Sequence, residues 1–205
     1  MSILPYQEIQ RRIKADGLIH GADLDSCLSP ASYELRIGSI RPIEGESERK
    51  LAKGEEFVMK EGASVLVGTL EEVRLPDDVA GFLFLKSSLG RSGYVPWSQG
   101  YVDPGYNGGL TIALHNFAGK LQLFAGHQKI CHIVFVKLTA PTTNPYDGEY
   151  SGSTGATASK DRTPIVISPA GFQLISKAFG TVGDETLRAI VDEGVRGILG
   201  NSGQG

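Results

Sequence analysis

Cysteine is nearly absent: Cys27 and Cys131 are the only two in 205 residues, and neither lies in a CxxC or Cys/His spacing. They read as buried or inert thiols, not as metal ligands or a disulfide. A long apolar run is missing too. The longest, such as Val79–Leu85 (VAGFLFL), fall far short of the roughly 20 residues of a membrane span. The opening MSILPYQEIQ has no signal-peptide apolar core, so the cytoplasm is the expected compartment, with no membrane partner. Nor is there a basic block: 20 Lys+Arg stand against 23 Asp+Glu, for a net charge of −3. A nucleic-acid surface relying on counterion release is thereby disfavoured, while small anionic ligands need only a few converging cations.

Glycine, by contrast, is abundant, at 27 of 205 residues. It clusters over 90–126 and 148–155, as expected for tight turns between short strands and for places where backbone approaches a ligand closely. A chain of this length buries roughly 70% of its unfolded surface, so its core needs no metal or disulfide.

Pro5–Ala15 places Tyr6, Ile9 and Ile13 on one stripe of a short helix, with Gly17 as a left-handed cap. From Ala31 the period changes. Tyr33–Ile37, Glu56–Met59, Ser64–Leu70, Gly81–Leu85, Leu110–Leu114 and Lys129–Leu138 are short strand patterns divided by Gly, Pro, Asp and Asn. The predicted class is mainly β, a barrel or jelly roll. Several strands are apolar on both faces and are expected to be covered on both, by central position or by packing of copies. The expected organisation is a β domain over 1–140, a Gly/Ser/Thr-rich arm over 141–163 and a helical extension over 164–205. The arm has almost no large apolar residue with which to anchor itself. In the extension, Ser168-Pro169 and Asp184 read as helix starts.

Three segments gather small and charged groups where a strand pattern would prefer apolar ones. In Lys86–Gly93 (KSSLGRSG), Lys86, Ser87, Ser88 and Arg91 follow an apolar strand, a set suited to a phosphate chain. A solvated strand end is the ordinary alternative. In Gly100–Gly109 (GYVDPGYNGG), Asp103 sits at a tight turn, where it caps backbone or orients a water, and Tyr106 offers a flat face to a sugar. In Tyr150–Ser159 (YSGSTGATAS), successive backbone N–H groups can wrap an anion, or the segment is a linker.

Together these segments resemble the dCTP deaminase/dUTPase family of trimeric deoxynucleotide enzymes. The likeness begins at SPASYELRIG (29–38), continues through KSSLGRSG, GYVDPGYNGGLTIALHN (100–116) and AGHQKICHIVF (125–135), and ends at Tyr150–Ser159. It implies a distorted jelly roll, a homotrimer with sites between subunits, and an arm that closes them. In the family's deaminases a glutamate ten positions beyond the aspartate moves the protons; counted from Asp103 that place holds Ala113, which cannot. Asp103 and Tyr106 fit instead the dUTPase turn, in which aspartate orders the water attacking the α-phosphate and tyrosine lies beneath deoxyribose.

The resemblance thus implies a dUTP diphosphatase. Asp103, Arg91 and Ser88 would be catalytic, and Lys86, Ser87, Tyr106, Tyr150, Ser153 and Thr154 would bind substrate. Gly100, Tyr101 and Val102 would read uracil by their main chain, and Mg²⁺ would be carried by the phosphates with no protein metal site. Two rivals remain: a dCTP deaminase using another acid or base, such as His115 or Glu34, and a catalytically silent nucleotide-binding trimer. Lys86 stands where arginine is usual and His132 where glutamine is usual, the latter as core residue or phosphate ligand.

Overall fold

The computed structural model describes residues 2–43, 47–96, 100–119 and 122–160; the expected C-terminal helices lie outside them. The N-terminal third forms β1 (Ser2–Ile3), α1 (Tyr6–Asp16), β2 (Ile19–His20), α2 (Leu24–Cys27), β3 (Leu28–Ser29), β4 (Ser32–Pro42) and β5 (Arg49–Lys50). Then come β6 (Glu56–Met59), β7 (Ser64–Arg74), β8 (Val79–Leu85), α3 (Ser87–Arg91) and β9 (Tyr94–Pro96). The series ends with β10 (Tyr101–Val102), β11 (Asn107–Asn116), β12 (Gln122–Ala125) and β13 (Lys129–Lys137).

β4 decides the architecture. Its first half pairs with β13 and its second half with β7, with a register shift between Ile37 and Ser39. A Cβ at Gly38 would lie 2.8 Å from the Leu70 Cα, so the strand can turn there only without a side chain. The result is one curled antiparallel sheet in the order β10-β8-β13-β4-β7-β11-β9, a half-barrel. Alternate residues of β4, β7, β11 and β13 fill its concave side, among them Leu35, Ile37, Val65, Val67, Ile112, Leu114, Ile133 and Phe135. The expected mainly β class is the class observed.

One set of polar groups enters this core fully paired. Glu71, wholly buried on β7, accepts from Arg36 Nε at 2.6 Å, from the Arg36 main chain at 2.8 Å and from Tyr33 OH at 3.3 Å. Cys27 and Cys131 are buried free thiols, and burial pushes the Cys131 thiol upward.

One local expectation is corrected. On α1, Gly17 is left-handed as expected, but Tyr6 is exposed. The buried helix residues are Ile9 and Arg12, the latter held by Glu8 at 2.9 Å and Asp78 at 3.4 Å. On β8 and β10, Phe82, Phe84 and Tyr101 are exposed within the single chain, so the outer apolar face is not covered by the chain's own described residues.

Candidate active site

The Lys86–Gly93 segment leaves β8 and folds at once into the five-residue helix α3, pinned by the buried Leu89. Ser87 and Ser88 are exposed on it, and Arg91 Nη2 donates to Ser87 Oγ at 3.2 Å. Lys86 does not stand free: its ammonium donates to Glu34 on β4. Lys129 on β13 donates to the same carboxylate at 2.5 Å, and His132 Nε2 lies 3.9 Å away. These groups meet because β8, β13 and β4 are neighbours, with His132 opposite both Glu34 and Phe84.

Burial alone would raise the Glu34 pKa, but the hydrogen bonds from Lys129 and Lys86 outweigh it and hold the carboxyl below its ordinary range. For His132, partial burial and the two lysines outweigh Glu34, so the pKa falls and the ring is neutral at pH 7. His132 is accordingly half-exposed, a member of a charged cluster and not of the core. Sequence reasoning missed Lys129; its position in the matched segment AGHQKICHIVF was the available signal.

Asp103 and Tyr106 belong to a second group. Tyr106 is buried, its hydroxyl donates to the Gly109 carbonyl at 2.6 Å, and burial, then Tyr146, pushes its pKa up to about 12. The ring therefore stays protonated and fixed. With the exposed Asp103 it lines a cavity of about 460 Å³, whose other walls include Tyr101, Val102, Leu66, Thr111, Ala113, Tyr146, Tyr150 and Ser153. On β11 the even positions Ile112 and Leu114 point into the core, so Ala113 and Thr111 face the cavity. Asp103 is the only carboxylate among its lining residues. Gly100 lies against Leu83, its carbonyl accepting the Leu83 N–H at 2.8 Å. β10 is an edge strand, leaving one side of its main chain outside the ladder.

The arm is anchored, contrary to expectation, and by backbone instead of apolar side chains. Gly152 N donates to the Asn107 carbonyl and Gly109 N to the Ser153 carbonyl, each at 2.7 Å. Ala156 N donates to Ser39 Oγ and Glu48 Oε1 at 2.8 Å, and Thr157 N to Thr111 Oγ1 at 3.0 Å. Tyr150 OH accepts from Lys160 N at 3.0 Å while the Lys160 ammonium lies 5.2 Å from the ring centroid. These amides are thus engaged by the chain itself instead of being open to an anion. Thr154 lies apart, in a smaller cavity with Ser39, Lys50 and Glu72.

Apart from Thr154 and Gly100, the expected site residues fall into two sets. Asp103, Tyr101, Val102, Tyr106, Tyr150 and Ser153 share one cavity; Lys86, Ser87, Ser88 and Arg91 do not line it. Val102 pairs with Gly81, and Lys86 follows five residues further along the β8 direction, a separation of roughly 17 Å at strand rise.

The fold is thus a curled, mainly β half-barrel. The sequence matches the family model described as dCTP deaminase-like over residues 3–138. The chain belongs to that family. It is 39% identical over 137 residues to the dCTP deaminase of Pyrococcus abyssi, covering 66% of this chain and 87% of the relative. It is 32% identical over 149 residues to the dUMP-forming dCTP deaminase of Persephonella marina, covering 65% and 82%. Among solved structures, 2'-deoxycytidine 5'-triphosphate deaminase from Agrobacterium tumefaciens superposes with a TM-score of 0.55 at 22% identity, a likeness of fold. That match covers 65% of this chain and about half, 47%, of the other.

Proposed function

We propose that the protein acts on a pyrimidine deoxynucleoside triphosphate and that its reaction is hydrolysis between the α- and β-phosphates, dUTP and water giving dUMP and pyrophosphate. The observation that carries the choice of reaction is the cavity wall: Ala113 faces it, and Asp103 is the one carboxylate lining it. Deamination needs a group that takes a proton from water and returns one to the leaving amine, work that a methyl cannot do. Hydrolysis at phosphorus needs chiefly a positioned water and neutralised charge.

In this reading Asp103 orients the water, the Tyr106 ring supports the sugar, and Tyr150 and Ser153 line the place of the base and its attached groups. Ser87, Ser88, Arg91 and Lys86 hold the phosphates. Asp103 alone supplies too few oxygen donors to hold Mg²⁺, so such an ion would be brought in by phosphate oxygens. That ion would supply charge neutralisation. Because Lys86 lies roughly 17 Å from Val102 along one chain, with Asp103 further still, a complete site would need the two sets from different copies. The exposed Phe82, Phe84 and Tyr101 offer an apolar face for such packing. A trimer is the assembly we infer, to be checked by sedimentation.

A second reading, dCTP deamination, is favoured by the names of the relatives, which fit it at least as well. One of them is named as dUMP-forming, and dUMP from dCTP requires loss of both the amine and pyrophosphate. Of the two rival bases, Glu34 is clamped by two lysines and is not in the Asp103 cavity wall; His115 lies outside that wall and meets Ser64 Oγ at 2.9 Å. Neither stands where Ala113 does.

The test is to supply Mg²⁺ with dUTP or dCTP and to follow dUMP, pyrophosphate and ammonia separately. Pyrophosphate without ammonia is expected, and Asp103→Asn should cut it by about 10²–10⁴-fold while nucleotide binding persists. Ammonia from dCTP would establish the second reading, and binding without either product would leave a silent nucleotide-binding protein.

A further inference from the structure

Behind Tyr106, on the side of α1, lies another cavity, of about 320 Å³, lined by Arg12, Asp16, Leu18, Arg74, Leu75, Pro76, Tyr106 and Asn107. The reaction proposed above makes no use of it. Its two guanidiniums differ in state. Arg12 is almost buried and rigid, its Nε on Glu8 at 2.9 Å and its Nη atoms on Asp78 at 3.4 Å. Arg74, at the end of β7, is exposed, and among the described residues no carboxylate pairs with it, whereas Arg11, Arg12, Arg36 and Arg49 all have such partners. The Arg74 main chain is fixed by its N–H to the Leu18 carbonyl at 2.9 Å, so the side chain springs from a set point at the cavity rim. The exposed Asn107 adds an amide, and the one carboxylate in the wall, Asp16, is drawn toward Arg11 at 3.6 Å.

We propose that this cavity is a second binding site, distinct from the one holding Asp103, and that it takes a phosphate-class oxyanion through Arg74. A guanidinium without a carboxylate is a fork of donors suited to two oxygens of one phosphate. Arg12, neutralised by Glu8 and Asp78, adds a fixed guanidinium face but no net charge, so Arg74 is the cation of this wall. The apolar side chains of Leu18, Leu75 and Pro76 form the floor of the cavity beneath it. The site shares the Tyr106 ring with the Asp103 cavity, and the Asn107 carbonyl beside it holds the Gly152 N–H of the arm.

The test uses inorganic phosphate as the probe and the full chain, with thermal midpoint and calorimetric titration as readouts. Wild type, Arg74→Leu, Arg74→Gln and Arg91→Ala are compared, with acetate in parallel. Phosphate binding is expected to survive Arg91→Ala and to weaken roughly tenfold or more in both Arg74 variants, the value of one charge-assisted bond. Turnover of dUTP or dCTP should persist in those variants. Binding unchanged by Arg74 substitution, or abolished by Arg91→Ala alone, would overturn the proposal and assign phosphate to the Lys86–Gly93 segment. Equal binding of acetate would refute the phosphate class. Phosphate binding is read without any substrate, so it stands or falls separately from the proposed reaction.

Discussion

Replacing Gly68 by Ala should release the arm without unfolding the β domain. Gly68 lies in β7 with backbone angles open to any residue, so the substitution acts through space alone. An added Cβ would sit 2.2 Å from the Gly155 carbonyl carbon and 2.3 Å from the Ala156 nitrogen. Ordinary contact begins at 3.4 Å, so the arm backbone must retreat by 3.4 − 2.2 = 1.2 Å. A retreat of that size takes the Ala156 N–Ser39 Oγ bond from 2.8 Å to about 4 Å, beyond hydrogen-bonding range. The bond to Glu48 and the Thr111 bonds to Gly155 and Thr157 are strained with it. Loss of two or three such bonds at about 1 kcal/mol each costs the docked arm roughly 2–3 kcal/mol, or about a 30- to 160-fold shift toward release. Amide hydrogen exchange over Ser153–Thr157 reads this directly, with Gly90→Ala as control because a Cβ there meets nothing within 4 Å. Protection at Ala156 and Thr157 unchanged from wild type would refute the reasoning.

Two further outcomes are expected. Tyr94→Phe should be neutral or stabilising by up to about 1–2 kcal/mol, because the Tyr94 hydroxyl is buried without a hydrogen-bond partner among the described residues while its ring packs 4.6 Å from Phe124; an unfolding free energy in urea lowered by more than about 1 kcal/mol would refute this. Glu34 and Glu8 both have folded pKa values below the ordinary 4.5, that of Glu8 at about 2 through Arg11 and then Arg12. Their stabilisation is present above pH 4.5 and lost as pH falls through the lowered values, so unfolding free energy should drop between about pH 4.5 and 2, and Glu34→Gln should flatten part of that slope in urea melts.

The strands were legible because β-branched and apolar residues recur with period two between Gly, Pro and Asn, and the six expected strands all occur. Their ends were not. Ser64–Leu70 extends to Arg74 since Glu71, which reads as a polar stop, is buried on Arg36 and Tyr33, partners brought in by β4. α3 was missed because five residues carry no helical period. The arm was read as unanchored for want of apolar side chains, yet it is held by main-chain bonds and by bare backbone at Gly68, Gly108 and Gly109, none of which a hydropathy pattern reports.

The candidate site divides along the same line. Counting from Asp103 identified Ala113, and strand alternation carries that count onto the cavity wall, since Ile112 and Leu114 face the core and the residue between them faces the other way. Chemistry missing from a strand face is legible because period two fixes which face is meant. The partners of Lys86 were not legible in this way. Glu34 lies fifty-two residues earlier and meets Lys86 only because β13 runs between β8 and β4 and contributes Lys129 to the same carboxylate. A cation that reads in sequence as a free phosphate ligand is therefore half neutralised in the fold. Under the proposed reading a triphosphate would compete with Glu34 for Lys86 and Lys129, whereas among the described residues Arg91 is tied by the 3.2 Å bond to Ser87 Oγ. Under that reading Arg91 is the cation of this segment that would meet an incoming phosphate at least cost, and Lys86 would follow only as Glu34 gives it up.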